Sequence, residues 1–340
     1  MKKRFFFIIL TLITSFNICY ADFSKVGTAA AQFLKIGVGA RALGMGETFV
    51  AVANDASSLY WNPAGLVNLE STSLALSHSL WFADISHDFL GVAFPLGANN
   101  MMGVSVVALN TSEQEVTTVD QPDGTGVFYD VSDIAIGLTY ARALTDRFST
   151  GLTVKYVQQN AYNESAKTVA IDLGTHLKTG FHGLAIAMSM TNYGGSLRLE
   201  GRDLIALTDI DKDIEGNYQV DTRLKTESWP LPLNFRVGIA MDIAGPGDSF
   251  FRMGNNRLTL AVDGVHPNDN VERVNLGSEY AWNETIFARA GYKINYDLEK
   301  WTFGGGLKFD FGPHTMHFDV ALVDFGDLGK VTRFSAEMSF

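Results

Sequence analysis

The sequence predicts an all-β chain: a transmembrane antiparallel β-barrel of about fourteen strands with an N-terminal plug (hatch) segment. Three observations predict it. From about residue 71 to the C-terminus, apolar and polar side chains alternate with a period of two, the period of a strand with one face in oil and one in water. The alternating segments run to about ten residues or more, the length a tilted strand needs to cross a bilayer, against about five or six in soluble sheets. Aromatics such as Trp81, Tyr140, Tyr156, Trp282, Tyr292 and Trp301 gather near segment ends, where an interfacial girdle lies, and the chain ends on Phe340 inside a strand. A large secreted soluble β-protein shares the alternation, but not the lengths or the girdle.

In chain order, Lys2, Lys3 and Arg4 form a positive n-region, and residues 5–13 are almost unbrokenly apolar. Cys19 and Ala21 follow, so cleavage before Asp22 is expected. Residues 1–21 therefore read as a secretory signal peptide rather than a retained anchor. Ile18 is a poor neighbour for a lipidated Cys19. Without the signal no cysteine remains, which excludes a disulfide framework and a thiolate metal site. The formal net charge of −11 becomes more negative once the three basic residues leave. An acidic chain repels phosphates, so no nucleic acid partner is expected. No further stretch of about eighteen apolar residues follows, so no helix crosses the bilayer. With 46% hydrophobic residues and 33 glycines, the remaining outlet is many short strands joined by Gly-rich turns.

Residues 22–70 lack the alternation and form a separate N-terminal plug segment. They carry Gly37, Gly39, Gly44 and Gly46, then Asp55, Tyr60, Trp61, Asn62 and Pro63 before Ala64 and Gly65. Glycines allow close backbone approach and Asn-Pro-Ala-Gly is a turn signal. An apolar, Gly-rich segment is poorly solvated in water, so folding into the lumen is expected. Phe33, Leu34, Phe49 and Leu66 are the candidate hydrophobic ligand pocket there.

The barrel, residues 71–340, divides into segments 71–82, 86–97, 100–111, 130–143, 147–161, 167–179, 181–191, 231–243, 255–266, 271–281, 285–296, 299–311, 313–322 and 331–340. The number is even, as an antiparallel barrel with both ends on one side requires. With N- and C-termini periplasmic, long connections such as 112–129 and 192–230 fall outside and short turns inside, and only 244–254 is longer than expected. Asp172, His176, Lys178, Arg236, Asp242, Glu279, Lys308 and Asp310 occupy the polar phase and should face the lumen, either as solvated lining or as contacts that gate the plug.

Residues 33–55, with Gly44-Met45-Gly46 at their centre, and Trp61-Asn62-Pro63-Ala64-Gly65 after them resemble the N-terminal signature of the PorV/PorQ family, a branch of the FadL-like outer-membrane proteins. The resemblance is close over about thirty-five residues and extends to the whole chain by barrel length and strand number. It implies a fourteen-stranded barrel with a hatch that contains the Asn-Pro-Ala portion. It also implies one of two functions. PorV proteins receive secreted cargo through a C-terminal sorting domain in type IX secretion, whereas FadL-like proteins admit hydrophobic molecules such as long-chain fatty acids.

Other motifs weigh less. Gly37-Val38-Gly39-Ala40-Arg41-Ala42 fits a loose dinucleotide pattern without the βαβ unit it needs, so no cofactor is expected. Asp209, Asp211 and Asp213 are a weak calcium candidate, but Gly216 stands at the wrong position for a calcium loop and Val220 replaces the closing Glu. His314 and His317 lie three apart, on opposite faces of a strand. No Ser sits in a nucleophile elbow, so no enzyme is expected. The expected partners are outer-membrane lipid, the barrel assembly machinery acting on Phe340, and either secreted cargo or hydrophobic small molecules.

Overall fold

The structure is a computed structural model that describes residues 25–208, 220–247 and 249–340. The signal peptide reading and the calcium candidates Asp209, Asp211 and Asp213 lie outside the described residues. Among these residues, no helix is long and apolar enough to cross a membrane.

Fourteen strands form the wall: β1 (Ser73–Leu80), β2 (Ser86–Pro95), β3 (Asn100–Asn110), β4 (Val131–Ala143), β5 (Phe148–Ala161), β6 (Glu164–Lys178), β7 (Ala185–Gly194), β8 (Asn234–Gly245), β9 (Arg257–Pro267), β10 (Arg273–Trp282), β11 (Ile286–Ile294), β12 (Trp301–Phe311), β13 (His314–Asp324) and β14 (Lys330–Ser339). Each pairs antiparallel with its neighbours in sequence. The ring closes where β1 pairs β14, from Ser73 opposite Ser339 to Leu80 opposite Thr332. Closure pairs the first strand with the last, so the wall amides along the ring find partners in a medium that offers none.

The alternation sets which face is which. On β12, Trp301, Phe303, Leu307, Phe309 and Phe311 are exposed on the outside, while Thr302 and Gly306 are buried inside. On β14, Phe334 points out and Val331 and Arg333 point in. The apolar face is thus the outer one, the reverse of a soluble sandwich. Phe340 extends β14, its amide donating to the Thr72 carbonyl at 2.9 Å.

Two departures have local causes. The seventh strand begins at Ala185 rather than 181, because Gly180, His182 and Gly183 take positive φ and Thr179 N–H closes a turn onto Leu184 O. The long connection after β8 has an edge to cover. β7 starts opposite Ala240, so beyond it β8 stays paired with β9 but has no wall partner on the β7 side, and Phe251–Arg252 folds back parallel to Ala244 and Gly245. At the opposite rim, the connection between β7 and β8 builds two small hairpin ladders, Ser196–Arg198 with Ser228–Pro230 and Ile205–Thr208 with Val220–Arg223.

Residues 31–66 fill the lumen and make the largest buried cluster, with Val38, Met45, Phe49, Leu59, Trp61 and Leu66 nearly inaccessible. The segment holds a short helix α1 (Ala40–Gly44), a single turn α2 (Ser58–Trp61) and a 3₁₀ turn Pro63–Asn68. It enters from the rim that carries the long connections. Ala30 N–H donates to Pro230 O at 2.9 Å, and Lys35 pairs with Asp269 at 2.7 Å in the connection between β9 and β10. It leaves at the opposite rim to start β1, beside the end of β14. The expected periplasmic side of the N-terminus falls on residues outside the described ones. The described chain begins at one rim and ends at the other, because the segment threads the lumen before the barrel starts.

Candidate functional site

The lumen segment and its anchors on the wall form the candidate site. Because the segment has no sheet to join, its backbone amides and carbonyls need partners from elsewhere, and inward-facing side chains of the wall supply many of them. Asp263 on β9 accepts from Phe49 N–H at 2.9 Å and Val50 N–H at 3.1 Å with one oxygen. Glu337 and Ser335 on β14 accept from Ala56 N–H (3.0 Å) and Ala40 N–H (3.1 Å). Thr302 donates to Gly44 O at 3.2 Å, Ser149 to Ala64 O at 3.1 Å, and the His176 Nε2 lies 3.0 Å from Ala51 O.

Two ionic clusters add to these latches. In the first, Arg41 of α1 forks onto Glu279 of β10, Nε to Oε2 at 2.9 Å and Nη2 to Oε1 at 3.1 Å. Glu279 also receives Arg289 (2.7 Å) and Arg257 (3.1 Å), and Arg289 reaches Asp319 at 2.6 Å. Arg41 turns its remaining nitrogen to Asn54 Oδ1 (2.6 Å) and Asp55 Oδ2 (3.1 Å). In the second, Glu47 meets Lys293 at 2.9 Å and Arg236 at 3.6 Å, while Lys293 also pairs with Glu299 and the Arg236 guanidinium lies over Trp61, 4.9 Å from the ring centre. Burial opposes the charged form of Glu47, and Lys293 and Arg236 outweigh it, holding its carboxyl below the ordinary range.

Backbone contact at α1 is close enough to need glycine on both sides. A Cβ on Gly44 would lie 2.9 Å from the Cα of Gly304, and one on Gly46 would lie 3.1 Å from the Cα of Gly291. The Asn-Pro turn is fixed differently. Asn62 accepts from Ala64 N–H at 3.1 Å and donates to Val50 O (3.0 Å) and Thr175 O (3.2 Å), while Pro63 starts the 3₁₀ turn. Tyr60 OH lies 2.9 Å from Leu34 O, and Trp61 Nε1 donates to Val38 O at 3.0 Å.

Of the wall residues named from sequence, Arg236, Glu279 and His176 meet the segment. Asp172 instead ties wall to wall, accepting from Asn192 N–H (2.8 Å) and pairing with Lys155 (2.8 Å). Asp310 keeps the inward phase but sits in the last residues of β12, open to solvent. Phe33, Leu34, Phe49 and Leu66 are buried in the segment's own packing. Sequence reasoning missed Asp263, Arg289, Lys293, Asp319 and Glu337. Their signal was available: each is a charge in the inward phase of a strand whose outward phase is apolar. It also missed the inward-phase wall glycines Gly151, Gly174, Gly277, Gly291 and Gly304, which receive the segment.

Cavities lie on both sides of the segment. Toward the long-connection rim is one of about 210 Å³, bordered by Lys35, Glu47, Trp81, Arg236, Arg273 and Lys293. Toward the other rim is one of about 500 Å³, bordered by Arg41, Asn54, His176, Lys178, Asp242 and Arg257.

Residues 20–244 match the family described as type IX secretion system protein PorV. No curated protein matches the chain in sequence. Solved barrels share its fold at low identity. The CymD monoaromatic hydrocarbon channel superposes with a TM-score of 0.59 at 14% identity, covering 90% of this chain and 98% of the channel. The toluene transporter TodX of Pseudomonas putida gives 0.56 at 13%, covering 89% and 97%. A FadL homologue of Pseudomonas aeruginosa gives 0.51 at 12%, covering 89% and 98%.

Proposed function

Because the chain belongs to the PorV family, we propose that this outer-membrane barrel receives secreted protein cargo of a type IX-like system on its long-connection rim. In this reading the lumen segment keeps the barrel closed, and the protein acts as a carrier or platform rather than an enzyme. The observation that carries it is the contrast between a filled lumen and a built-up rim. The rim's hairpins expose Leu207, Leu224 and Trp229, and the connection between β3 and β4 exposes Val119 and Phe128. Apolar side chains held outward on ordered loops suit a protein partner. The rim would then face outside, and the cargo would present its C-terminal sorting domain. Affinity capture with the folded barrel should enrich secreted proteins bearing such domains, and Trp229→Ala with Leu207→Ser should lower the yield severalfold. No enrichment over an unrelated barrel would count against the reading.

A second reading is a FadL-like transporter of hydrophobic small molecules such as long-chain fatty acids. The fold shared with hydrocarbon and toluene transporters favours it, as does the partly apolar collar of Trp81, Val265, Val323 and Phe325 around the smaller cavity. Uptake of a labelled fatty acid that falls when the gene is deleted, with cargo surface display intact, would favour this reading over the first.

A further inference from the structure

A group of buried polar side chains lies across the seam where the first and last strands meet. Arg333 on β14, Ser79 on β1 and His87 on β2 stand side by side, Ser79 being the direct partner of both others. Neighbours on one face of a sheet are within reach of each other. All three face inward, Arg333 and Ser79 fully inaccessible and His87 nearly so. Among the described residues, none of the three side chains makes a hydrogen bond to the lumen segment.

The group is short of acceptors. Arg333 makes no ion pair among the described residues, and its one side-chain hydrogen bond links Nη2 to His87 Nδ1 at 3.4 Å. A guanidinium can only donate, so Nδ1 is the acceptor and the ring proton sits on Nε2. Arg333 Nε and Nη1, His87 Nε2 and Ser79 Oγ then have no partner. Three of these four atoms can only donate, and the hydroxyl can donate too. The same row of the wall brings no counter-charge: beyond Arg333 stands Ala321, and beyond His87 stands Leu109. The carboxylates of the second ionic cluster, Glu47 and Glu299, are engaged by Lys293 and Arg236. A buried guanidinium with neither a counter-charge nor a full set of acceptors is strongly destabilising.

We infer that Arg333, His87 and Ser79 form a binding site for a small monovalent anion of the halide class, with chloride as the probe. One unpaired positive charge calls for one negative charge. Donors without acceptors select an anion over a cation, and over a water that needs acceptors for its own protons. Full burial between alanine and leucine excludes a ligand with a bulky tail. The site is also distinct from the two cavities beside the lumen segment, neither of which Arg333 borders. The ion would tie β14, β1 and β2 together at the point of closure, so the barrel's resistance to unfolding should depend on chloride. The site rests on neither reading of the barrel's function.

The mature barrel in detergent micelles, unfolded by heat in chloride and in gluconate of equal ionic strength, tests it. The native protein should unfold at a higher temperature in chloride, with a saturable dependence on its concentration, and bromide should substitute. Arg333→Met should lose this dependence. In gluconate it should be at least as stable as the native protein, because it removes a buried charge that has no partner there. Ser79→Ala, which removes one donor and leaves the charge, should raise the half-saturating chloride concentration severalfold. In crystals soaked with bromide, anomalous scattering should place the ion against Arg333 and His87. Equal stability of the native protein in the two salts, a full chloride response in Arg333→Met, or bromide bound only elsewhere would overturn the inference. An unchanged half-saturation in Ser79→Ala would do so too, even if Arg333→Met failed to assemble.

Discussion

The two halves of the lumen segment are held by different physics. Residues 40–56 lie mainly against β8 to β14, and charge dominates: Arg41 on Glu279, Glu47 between Lys293 and Arg236, and backbone amides on Asp263 and Glu337. Residues 57–69 lie largely against β3 to β6, and the partners are neutral: Ser149, the Thr175 carbonyl and wall glycines. Buried charges are costly to strand but can be re-paired by an incoming charge of the same sign. A steric fit has no such substitute. The difference separates a half held by exchangeable charge from a half held by steric fit.

The sharpest way to break that contrast is Gly174→Val on β6. A Cβ there would fall 2.1 Å from the Asn62 Oδ1 and 2.8 Å from the Pro63 Cδ. Residues 59–68 should lose hydrogen-exchange protection completely, while residues 40–50 keep theirs. Glu279→Gln is the converse. It removes the shared charge of Arg41, Arg257 and Arg289 and should cost about 3 kcal/mol, the scale for breaking a buried ion pair, read as exchange confined to residues 40–50. Asn62→Ala should cost about 1–2 kcal/mol through its lost cap and two lost carbonyl contacts, with Arg41 unaffected.

The smallest effect is a pH dependence at the entry of the segment. Burial raises the tendency of Asp269 to protonate, and the hydrogen bonds from Lys35 and Gln32 outweigh it, leaving its carboxyl below the ordinary range. A depressed value means that its contribution is fully present above about pH 4, the unfolded carboxylate range, and is lost as pH falls through the lower folded value. Exchange at residues 30–35 should therefore rise only in strong acid, and Asp269→Asn should abolish that rise.

Legibility followed periodicity. Wherever the two-residue rhythm holds, strands and phases read directly, and so did Arg236, Glu279 and His176 as inward residues. The lumen segment has no rhythm, so Arg41 and Glu47 carried no sign of their partners, which lie 238 and 246 residues away in the chain. The wall glycines fell inside predicted strands without a role, because composition does not distinguish an ordinary strand glycine from one that makes room for another backbone. Strand parity constrains only the barrel and says nothing of a segment threaded through it.

The central claim is that the segment before β1 occupies the lumen of a closed barrel. Cys19, the only cysteine in the chain, lies in the region read as a removed signal, so paired cysteines can be introduced on a clean background. Ala40 N–H and Ser335 Oγ are 3.1 Å apart. In outer membranes, Ala40→Cys with Ser335→Cys should cross-link on mild oxidation and resist labelling by a membrane-impermeant maleimide. Free labelling of position 40 with no cross-link would place the segment outside the barrel and contradict the account.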